Sequence, residues 1–317
     1  SASTAEPSTL IPRPVSAPQA ADETAIAAAA EVLRAAERPA ILAGAGSIPG
    51  RDALLAIAER LGAPVVTSLN GKGALPESHP LSIGSELRLA TAREVLNNSD
   101  ALLVIGSKIG ESELWGGQIS PRGKVIRVDI TELQRDKNLS ATHALIGDSA
   151  AVLPQLAAAL GEGSSAPYLD LQAVRAAAAT ESAKFAPVED RLAARIAQVL
   201  PSNTIVTGDS SQITYYGMTS RVRSEQPASF MYMAAYATLG YGLPAAIGAK
   251  IADPDFPVVG VMGDGALMFS IQELQTAVEQ ELDITIVCVD NGGYGEIKQN
   301  EADRGIPPIG VVLAQPD

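Results

Sequence analysis

Cysteine and histidine are scarce in this chain of 317 residues, which contains one Cys and two His. A single cysteine cannot form a disulfide within the chain, so we expect a protein of a reducing compartment, the cytoplasm. Cys288 lies in the apolar run ITIVCVD, where we expect it to be buried as a small hydrophobic residue and not to act in catalysis. His79 and His143 have no Cys or Asp at metal-ligand spacing, so we expect loop or surface positions and no zinc site.

Positive charge is also in short supply, because 23 Lys and Arg face 36 Asp and Glu, for a net charge of −13. Such a surface repels phosphate backbones and anionic lipid, so we expect neither nucleic acid nor membrane partners. No apolar run reaches about 18 residues, and the first residues lack the basic and apolar blocks of a signal peptide. Pro, Ser and Ala dominate residues 1–21, which predicts an interdomain linker.

Strand and helix patterns alternate in two blocks. The first block runs from the helix pattern ETAIAAAAEVLRAAE to SAAVLPQLAAALG, and the second runs from EDRLAARIAQVL to the strand pattern ITIVCVDN. This alternation indicates βαβ units and parallel sheets. We therefore predict an α/β protein with two doubly wound parallel-sheet domains, at 22–162 and 187–317, and expect the second to continue past residue 317. The Gly/Ser/Pro-rich GEGSSAP predicts a linker at 163–186, until a helix begins near Val188.

Polar residues follow two strands of the second domain. Gly263, Asp264 and Gly265 come after FPVVGVM, and Asn291 comes after ITIVCVD, with one helix between them. In a right-handed βαβ unit the carboxyl ends of both strands meet at one rim of the sheet, where such sheets bind ligands. Carboxylate and amide oxygens suit Mg²⁺, and glycines let the backbone approach a diphosphate. Each turn alone is a common structural motif, and their combination predicts a metal and diphosphate site.

The segment GDGALMFSIQELQTAVEQELDITIVCVDNGGYG resembles the thiamine diphosphate (ThDP) signature of acetolactate synthase, benzoylformate decarboxylase and pyruvate decarboxylase. The resemblance implies that Asp264, Asn291 and the backbone carbonyl of Gly293 bind Mg²⁺ on the ThDP diphosphate. The family usually has two consecutive asparagines, and Asp290 stands at the first of these positions. The further cofactor-binding residues that the resemblance implies in this segment are Gly263, Gly265, Ala266, Tyr294 and Gly295.

Two other segments of the second domain resemble the same family. ATLGYGLPAAIGAK resembles the stretch that supports the aminopyrimidine, with Leu239 as the residue that bends ThDP and Ala237 offering its carbonyl to the 4′-amino group. TGDSSQITYY resembles the loop that touches the diphosphate, which implies cofactor contacts for Ser210, Ser211 and Gln212.

The first domain resembles the central domain of these enzymes in AILAGAGS, TSLNGKGALPESHPLSIG and VIRVDI. Some members bind FAD there, which would lie near Gly44, Gly46, Ser68 and Leu69. A glycine turn after a strand is weak evidence, and GSKIGESELWGG departs from the flavin-binding pattern, so FAD is possible but not favoured.

The resemblance implies a ThDP- and Mg²⁺-dependent enzyme that decarboxylates a 2-oxo acid and joins the product to a second carbonyl compound, as acetolactate synthase does. The alternatives are simple decarboxylation, as in benzoylformate decarboxylase, and a non-catalytic cofactor-binding module. The family also uses a glutamate from an N-terminal pyrimidine-binding domain of a neighbouring subunit. We find no such domain, so we expect this chain to be inactive alone and the enzyme to be a homodimer or homotetramer.

Glu296 stands five positions after the expected metal ligand Asn291, where the family usually has an apolar residue in the substrate pocket. A carboxylate there could pair with a cationic substrate tail, such as the guanidinium of an arginine-derived 2-oxo acid. A solvated glutamate in the first turn of a helix is the other interpretation.

Overall fold

Two parallel β-sheets organise residues 17–313, the part of the chain that the computed structural model describes. Residues 1–16 of the predicted first linker and residues 314–317 lie outside that part. The strands of the first sheet are β1 (Pro39–Ala43), β2 (Val65–Thr67), β3 (Ser82–Gly84), β4 (Ala101–Ile105), β5 (Lys124–Asp129) and β6 (His143–Ile146). Those of the second are β7 (Ile205–Gly208), β8 (Phe230–Met231), β9 (Val258–Gly263) and β10 (Thr285–Val289).

The strand orders are β3-β2-β1-β4-β5-β6 and β10-β9-β7-β8, and all pairings are parallel. This confirms the prediction of two α/β units with parallel sheets. The helices associated with the first sheet are α1 (Glu23–Arg34), α2 (Arg51–Leu61), α3 (Ala90–Asn97), α4 (Glu111–Leu114) and α5 (Ser149–Leu160). Those that follow are α6 (Leu171–Phe185), α7 (Pro187–Val199), α8 (Thr219–Arg221), α9 (Gly242–Ala252), α10 (Asp264–Leu267), α11 (Leu274–Glu279) and α12 (Gly295–Asp303).

Helix α1 shows how the sequence forms these elements. The Asp22 side chain accepts a hydrogen bond from the Ala25 N–H and caps the first turn. Arg34 lies in the last turn, where its positive charge interacts favourably with the helix dipole. The buried residues recur at helical spacing on one face: Ile26, Ala29, Ala30 and Leu33. That face packs into the core of the first domain, which also contains the fully buried strands β1 and β4.

The prediction of a linker up to a helix near Val188 is wrong in one respect, because α6 occupies most of 163–186. Asp170 caps α6 by accepting hydrogen bonds from the first helical N–H groups. Arg175 of α6 then donates to the carbonyls of Pro80 and Ser82, which attaches the helix to the first domain. The GEGSSAP segment before it has no helix or strand, as predicted. The domain limits remain a prediction.

Three single-residue expectations can be compared with the structure. The expected burial of Cys288 is wrong, because its side chain is exposed on β10, the edge strand of the described sheet. His143 is the half-buried first residue of the edge strand β6, so it lies in a strand and not in a loop but is still partly exposed at the surface. His79 lies in a turn with its Nε2 3.5 Å from a Glu59 carboxylate oxygen. Residues 17–313 contain no group of three or more His, Cys, Asp or Glu side chains that could hold a metal, and no helix long and apolar enough to cross a bilayer.

A buried ion pair joins the two domains. Lys72 Nζ lies 2.7 Å from both carboxylate oxygens of Glu77, and the two side chains are 3% and 6% exposed. Lys72 also donates to the Thr219 carbonyl at 3.1 Å, and Glu77 accepts from the Ser224 N–H at 2.9 Å. Since Thr219 and Ser224 belong to the second domain, this polar contact fixes the segment that leads into and out of α8 against the first domain.

Candidate cofactor site

The carboxyl ends of β10, β9 and β7 lie side by side and define the site. Val289 at the end of β10 pairs with Gly263 at the end of β9, and Gly208 at the end of β7 pairs with Val261. The next residues of each strand therefore reach the same rim of the sheet. These residues form three loops, 209–212 after β7, the start of α10 at Asp264 after β9, and 290–295 after β10.

Three polar groups converge at this rim. The inward terminal atom of the Asn291 amide lies 2.8 Å from the Gly293 carbonyl oxygen and 3.3 Å from Asp264 Oδ1. Because both neighbours are acceptors, the NH₂ group belongs at this position as their donor. An amide can turn by 180°, which would place its oxygen inward and let its NH₂ group donate to the Gln212 side-chain oxygen at 3.2 Å. The three groups therefore meet in either orientation, and only a donor or a cation between them makes their contact favourable.

Glycines at the rim are required by geometry. Gly293 has φ = +141°, and a Cβ there would lie 2.2 Å from the Val311 carbonyl oxygen. The segment 311–313 folds back over the loop, since Tyr294 N–H donates to the Val311 carbonyl at 2.9 Å and Leu313 N–H donates to that of Gly292 at 3.2 Å. A Cβ on Gly295 would lie 2.5 Å from the Asn291 amide nitrogen. Larger residues at these two positions would displace the Gly293 carbonyl and the Asn291 amide.

One cleft contains nearly all of the predicted site residues. Those that line it are Ser210, Ser211, Gln212, Leu239, Gly263, Asp264, Gly265, Ala266, Asn291, Gly293, Tyr294, Gly295 and Glu296. Ala237 does not line it, because it is exposed on the preceding turn with φ = +52°. The loop 209–212 lies directly against the other two loops. The roles of these residues remain predictions, although their positions are those the predictions require.

Asp209 is a site residue that sequence reasoning missed. It is fully buried, and its carboxylate accepts hydrogen bonds from the N–H groups of Ser210, Gly240 and Gly242 at 2.8, 3.1 and 2.8 Å. Burial raises the pKa of Asp209, and these N–H groups offset part of that effect. The side chain thereby joins the loop after β7 to the turn that carries Leu239. Its position immediately after a strand, in TGDSS, was the available signal.

The two interpretations of Glu296 can be compared with its surroundings. It lies in the first turn of α12, as expected, and its side chain is half-buried. Its Oε2 atom accepts hydrogen bonds from the hydroxyls of Tyr215 and Tyr216 at 3.2 and 2.8 Å and from the Gln212 amide at 3.3 Å. Burial and the nearby carboxylate raise the pKa of both tyrosines, which therefore remain protonated donors.

The residues expected near a flavin have structural roles in the first domain. A Cβ on Gly44 would lie 2.2 Å from the Gly106 carbonyl oxygen, so the close approach of the turns after β1 and β4 requires glycine there. The Ser68 hydroxyl caps a short 3-10 helix at Leu69–Gly71 by accepting from the Gly71 N–H. Burial raises the pKa of Glu113, whose carboxyl is hydrogen-bonded to Ser68 and to the Leu69 backbone. These contacts explain the motif without a flavin and do not test for one.

Comparison with known proteins agrees with this geometry. A family model described as the thiamine pyrophosphate enzyme central domain matches residues 26–156, and one described as the C-terminal TPP-binding domain matches residues 210–309. The chain is 36% identical to a probable 2-ketoarginine decarboxylase of Pseudomonas aeruginosa, over 92% of this chain and 53% of the relative. It is 32% identical to a probable acetolactate synthase large subunit of Methanocaldococcus jannaschii, over 90% and 53%.

A third relative is the acetolactate synthase isozyme 1 large subunit of Escherichia coli, which is 31% identical over 88% of this chain and 51% of the relative. The chain thus spans about half the length of the curated relatives it matches. The two domain matches, taken with the two parallel sheets and the loops at their rims, show that the chain belongs to the thiamine pyrophosphate enzyme family, of which it contains the central and C-terminal domains.

Proposed function

We propose that the second domain binds Mg²⁺ and the diphosphate of ThDP, and that the enzyme containing it decarboxylates a 2-oxo acid. The observation that carries this proposal is the convergence of the Asn291 side-chain amide with the Gly293 carbonyl oxygen and Asp264 Oδ1, at distances of 2.8 and 3.3 Å from the inward amide atom. Octahedral Mg²⁺ with ligands at about 2.0–2.1 Å places neighbouring oxygens about 2.9 Å apart. The oxygen-inward orientation of the Asn291 amide suits the cation-bound site, and the NH₂-inward orientation suits the cation-free one.

The chain's own residues would hold the cofactor in place. Bound ThDP supplies the group that stores the electron pair released when a 2-oxo acid loses CO₂. The Ser210 side chain lines the cleft, and its hydroxyl, which lies near that of Tyr232, would donate to a diphosphate oxygen. Leu239 lines the same cleft, where its side chain would support the bent cofactor. The activating glutamate would come from a pyrimidine-binding domain, which makes a homodimer or homotetramer the proposed active unit.

Carboligation, the outcome expected from the resemblance to acetolactate synthase, has the support of the relatives that carry that name. Decarboxylation without ligation is a second candidate, and the position of Glu296 supports it. Glu296 places a carboxylate at the end of the cleft, and the relative that is 36% identical is named as a probable 2-ketoarginine decarboxylase. For this candidate the substrate would be a 2-oxo acid with a cationic tail. The two candidates differ in product, which is either an aldehyde or a larger hydroxy-oxo acid.

Calorimetric titration with ThDP, in Mg²⁺ and in EDTA, tests the cofactor site. We expect binding that depends on Mg²⁺ and that weakens about tenfold or more in Asp264→Asn, because a metal-binding carboxylate is lost. Asp283→Asn, which removes an exposed carboxylate of the same domain, is the matched control and should bind normally. Equal heats with and without Mg²⁺ would refute the site, and absence of any diphosphate binding would favour a non-catalytic module.

The reaction is tested on the enzyme that also contains the pyrimidine-binding domain. Products formed from ¹³C-labelled pyruvate and from a guanidino 2-oxo acid can be identified by NMR. Ligated product from pyruvate supports the first candidate, and an aldehyde formed from the guanidino acid supports the second. If the enzyme consumes neither substrate in the presence of ThDP and Mg²⁺, the proposal of 2-oxo acid decarboxylation is refuted.

A further inference from the structure

Two tyrosine hydroxyls hold the half-buried carboxylate of Glu296 at the boundary between the domains, and two further aromatic rings pack against those tyrosines. We call Trp115, Phe185, Tyr215, Tyr216 and Glu296 the aromatic-carboxylate cluster. The Tyr216 ring centroid lies 4.5 Å from that of Tyr215, 5.3 Å from that of Trp115 and 5.2 Å from that of Phe185. Trp115 follows α4 of the first domain, Phe185 ends α6, and the tyrosines precede α8 of the second domain. With Glu296 in α12, the cluster is therefore assembled from four separate parts of the chain.

The charge of Glu296 has no cationic partner among residues 17–313. Its hydrogen-bond donors are the two tyrosine hydroxyls and the side-chain amides of Gln212 and Asn300, all of them neutral. A half-buried carboxylate held by neutral donors is less well stabilised than one that is paired with a cation. Glu296 and Tyr215 also line the cleft that contains Asp264 and Asn291, so this charge is accessible from the cofactor site.

Trp115 is held in an unusual position beside the two tyrosines that bind this carboxylate. Its backbone adopts the left-handed conformation with φ = +50°, which is uncommon for a bulky residue, and its ring N–H donates to the Ser112 carbonyl at 2.8 Å. The side chain is nevertheless 38% exposed. An exposed aromatic ring with a fixed orientation can stack on a planar or cationic group without a large loss of conformational entropy.

The protein already places one guanidinium against these rings. The guanidinium carbon of Arg88 lies 5.5 Å from the Trp115 ring centroid and 5.9 Å from that of Phe185. Hydroxyls of Ser182 and Ser220 fix this arginine by accepting hydrogen bonds from it, so it is not bound to Glu296. The contact shows that the geometry of the rings accepts a guanidinium group.

We propose that the aromatic-carboxylate cluster is a receptor for a planar cationic group, which Glu296 binds by charge-assisted hydrogen bonds and Trp115 covers with its ring. Tyr216 is a positioning residue that holds the carboxylate through its hydroxyl. The inference rests on the proposed function and narrows its substrate class to 2-oxo acids that end in a guanidinium or amidinium group. Specificity would thus depend on a residue of the first domain, although the cofactor site belongs to the second.

The test uses small probes that carry no 2-oxo acid group, so that it does not depend on ThDP. Butylguanidinium and the neutral, similarly shaped butylurea are titrated into the chain, and emission of Trp115, its only tryptophan, reports binding. We expect saturable binding of butylguanidinium that is about tenfold or more tighter than binding of butylurea. A titration with butylammonium, whose charged group is not planar, tests whether planarity matters. If butylammonium binds as tightly as butylguanidinium, the preference for a planar cation is refuted.

Variants separate the roles within the cluster. Glu296→Gln should lower the affinity for butylguanidinium about tenfold or more and leave butylurea unaffected. Tyr216→Phe should reduce the preference for the cation without abolishing it, because the carboxylate remains but is less well held. Asp303→Asn removes an exposed carboxylate from the same helix and is the matched control. Far-UV circular dichroism and cooperative urea unfolding confirm that each variant folds.

The outcomes distinguish this proposal from the proposed function. Equal affinities for the two probes in the parent, or unchanged affinity in Glu296→Gln, would overturn the receptor even if ThDP binds with Mg²⁺. Conversely, selective binding of butylguanidinium in a chain that shows no Mg²⁺-dependent ThDP binding would support the receptor and refute the cofactor site.

Discussion

Replacing Lys72 by Met should strongly destabilise the junction between the two domains. Its ammonium group lies 2.7 Å from both carboxylate oxygens of Glu77, and both side chains are almost fully buried. It also donates to the Ser85 hydroxyl at 3.3 Å and to the Thr219 carbonyl at 3.1 Å. Methionine retains most of the length of the side chain, so the expected effect comes from charge and hydrogen bonding and not from a large cavity.

The magnitude follows from what the substitution leaves behind. Glu77 would keep the backbone N–H of Ser224 as a donor, but it would become a buried carboxylate without a cation. Removing one partner of a buried ion pair costs about 3–5 kcal/mol of unfolding free energy. Removing both charges, as in Lys72→Met with Glu77→Gln, avoids the unpaired charge and should leave the protein within about 2 kcal/mol of the parent. The two substitutions should therefore be strongly non-additive.

Urea unfolding, followed by Trp115 fluorescence and in parallel by far-UV circular dichroism, measures these free energies. Trp115 is the only tryptophan and lies at the domain boundary, so its emission reports the junction. The control is the exposed pair Arg135 and Glu132, whose atoms lie 3.1 Å apart and whose disruption should cost at most about 1 kcal/mol. Single variants at Lys72 or Glu77 that cost less than about 1 kcal/mol, or additive effects in the double variant, would refute the reasoning.

Two further predictions concern the cofactor site. Gly293→Ala should abolish Mg²⁺-dependent ThDP binding in calorimetry. The new Cβ would lie 2.2 Å from the Val311 carbonyl oxygen, and the backbone at this position has φ = +141°. Binding at the parental affinity would contradict this prediction. The folded state raises the pKa of Asp209, so its carboxyl binds a proton more tightly there than in the unfolded chain. The resulting contribution to the free energy of unfolding is fully present below the unfolded pKa of about 3.9 and is lost as pH rises through the folded pKa. Asp209→Asn should therefore flatten the decline of unfolding free energy above about pH 4, measured by urea titrations at several pH values, whereas an unchanged profile would contradict the assignment.

Local sequence patterns were sufficient for most of the fold and for the main residues of the site. The strand and helix periods, and the rule that parallel strands end at one rim, placed Asp264 and Asn291 together although they are 27 positions apart. Helix α6 was missed because its alanine-rich sequence carries little amphipathic signal and follows a segment rich in Gly, Ser and Pro.

The remaining misses needed information that local patterns do not contain. Burial of Cys288 depends on where β10 lies in the sheet, and an apolar strand looks the same at the centre as at an edge. Trp115 and Tyr216 are about a hundred positions apart, so their contact depends on how the two domains meet. Asp209 was visible as a residue after a strand, but its hydrogen bonds to the turn before α9 are set by tertiary packing.

The segment 311–313, which folds over Gly293, gives the proposed cation site a thermodynamic link to a distal stretch of backbone. The N–H of Tyr294 and the carbonyl of Val311 share a hydrogen bond, so the loop that presents the Gly293 oxygen is ordered together with that stretch. Suppose that a cation binds more tightly when the segment 311–313 is folded over Gly293. By reciprocity, the bound cation must then stabilise the folded-over segment by the same free energy with which that segment strengthens cation binding.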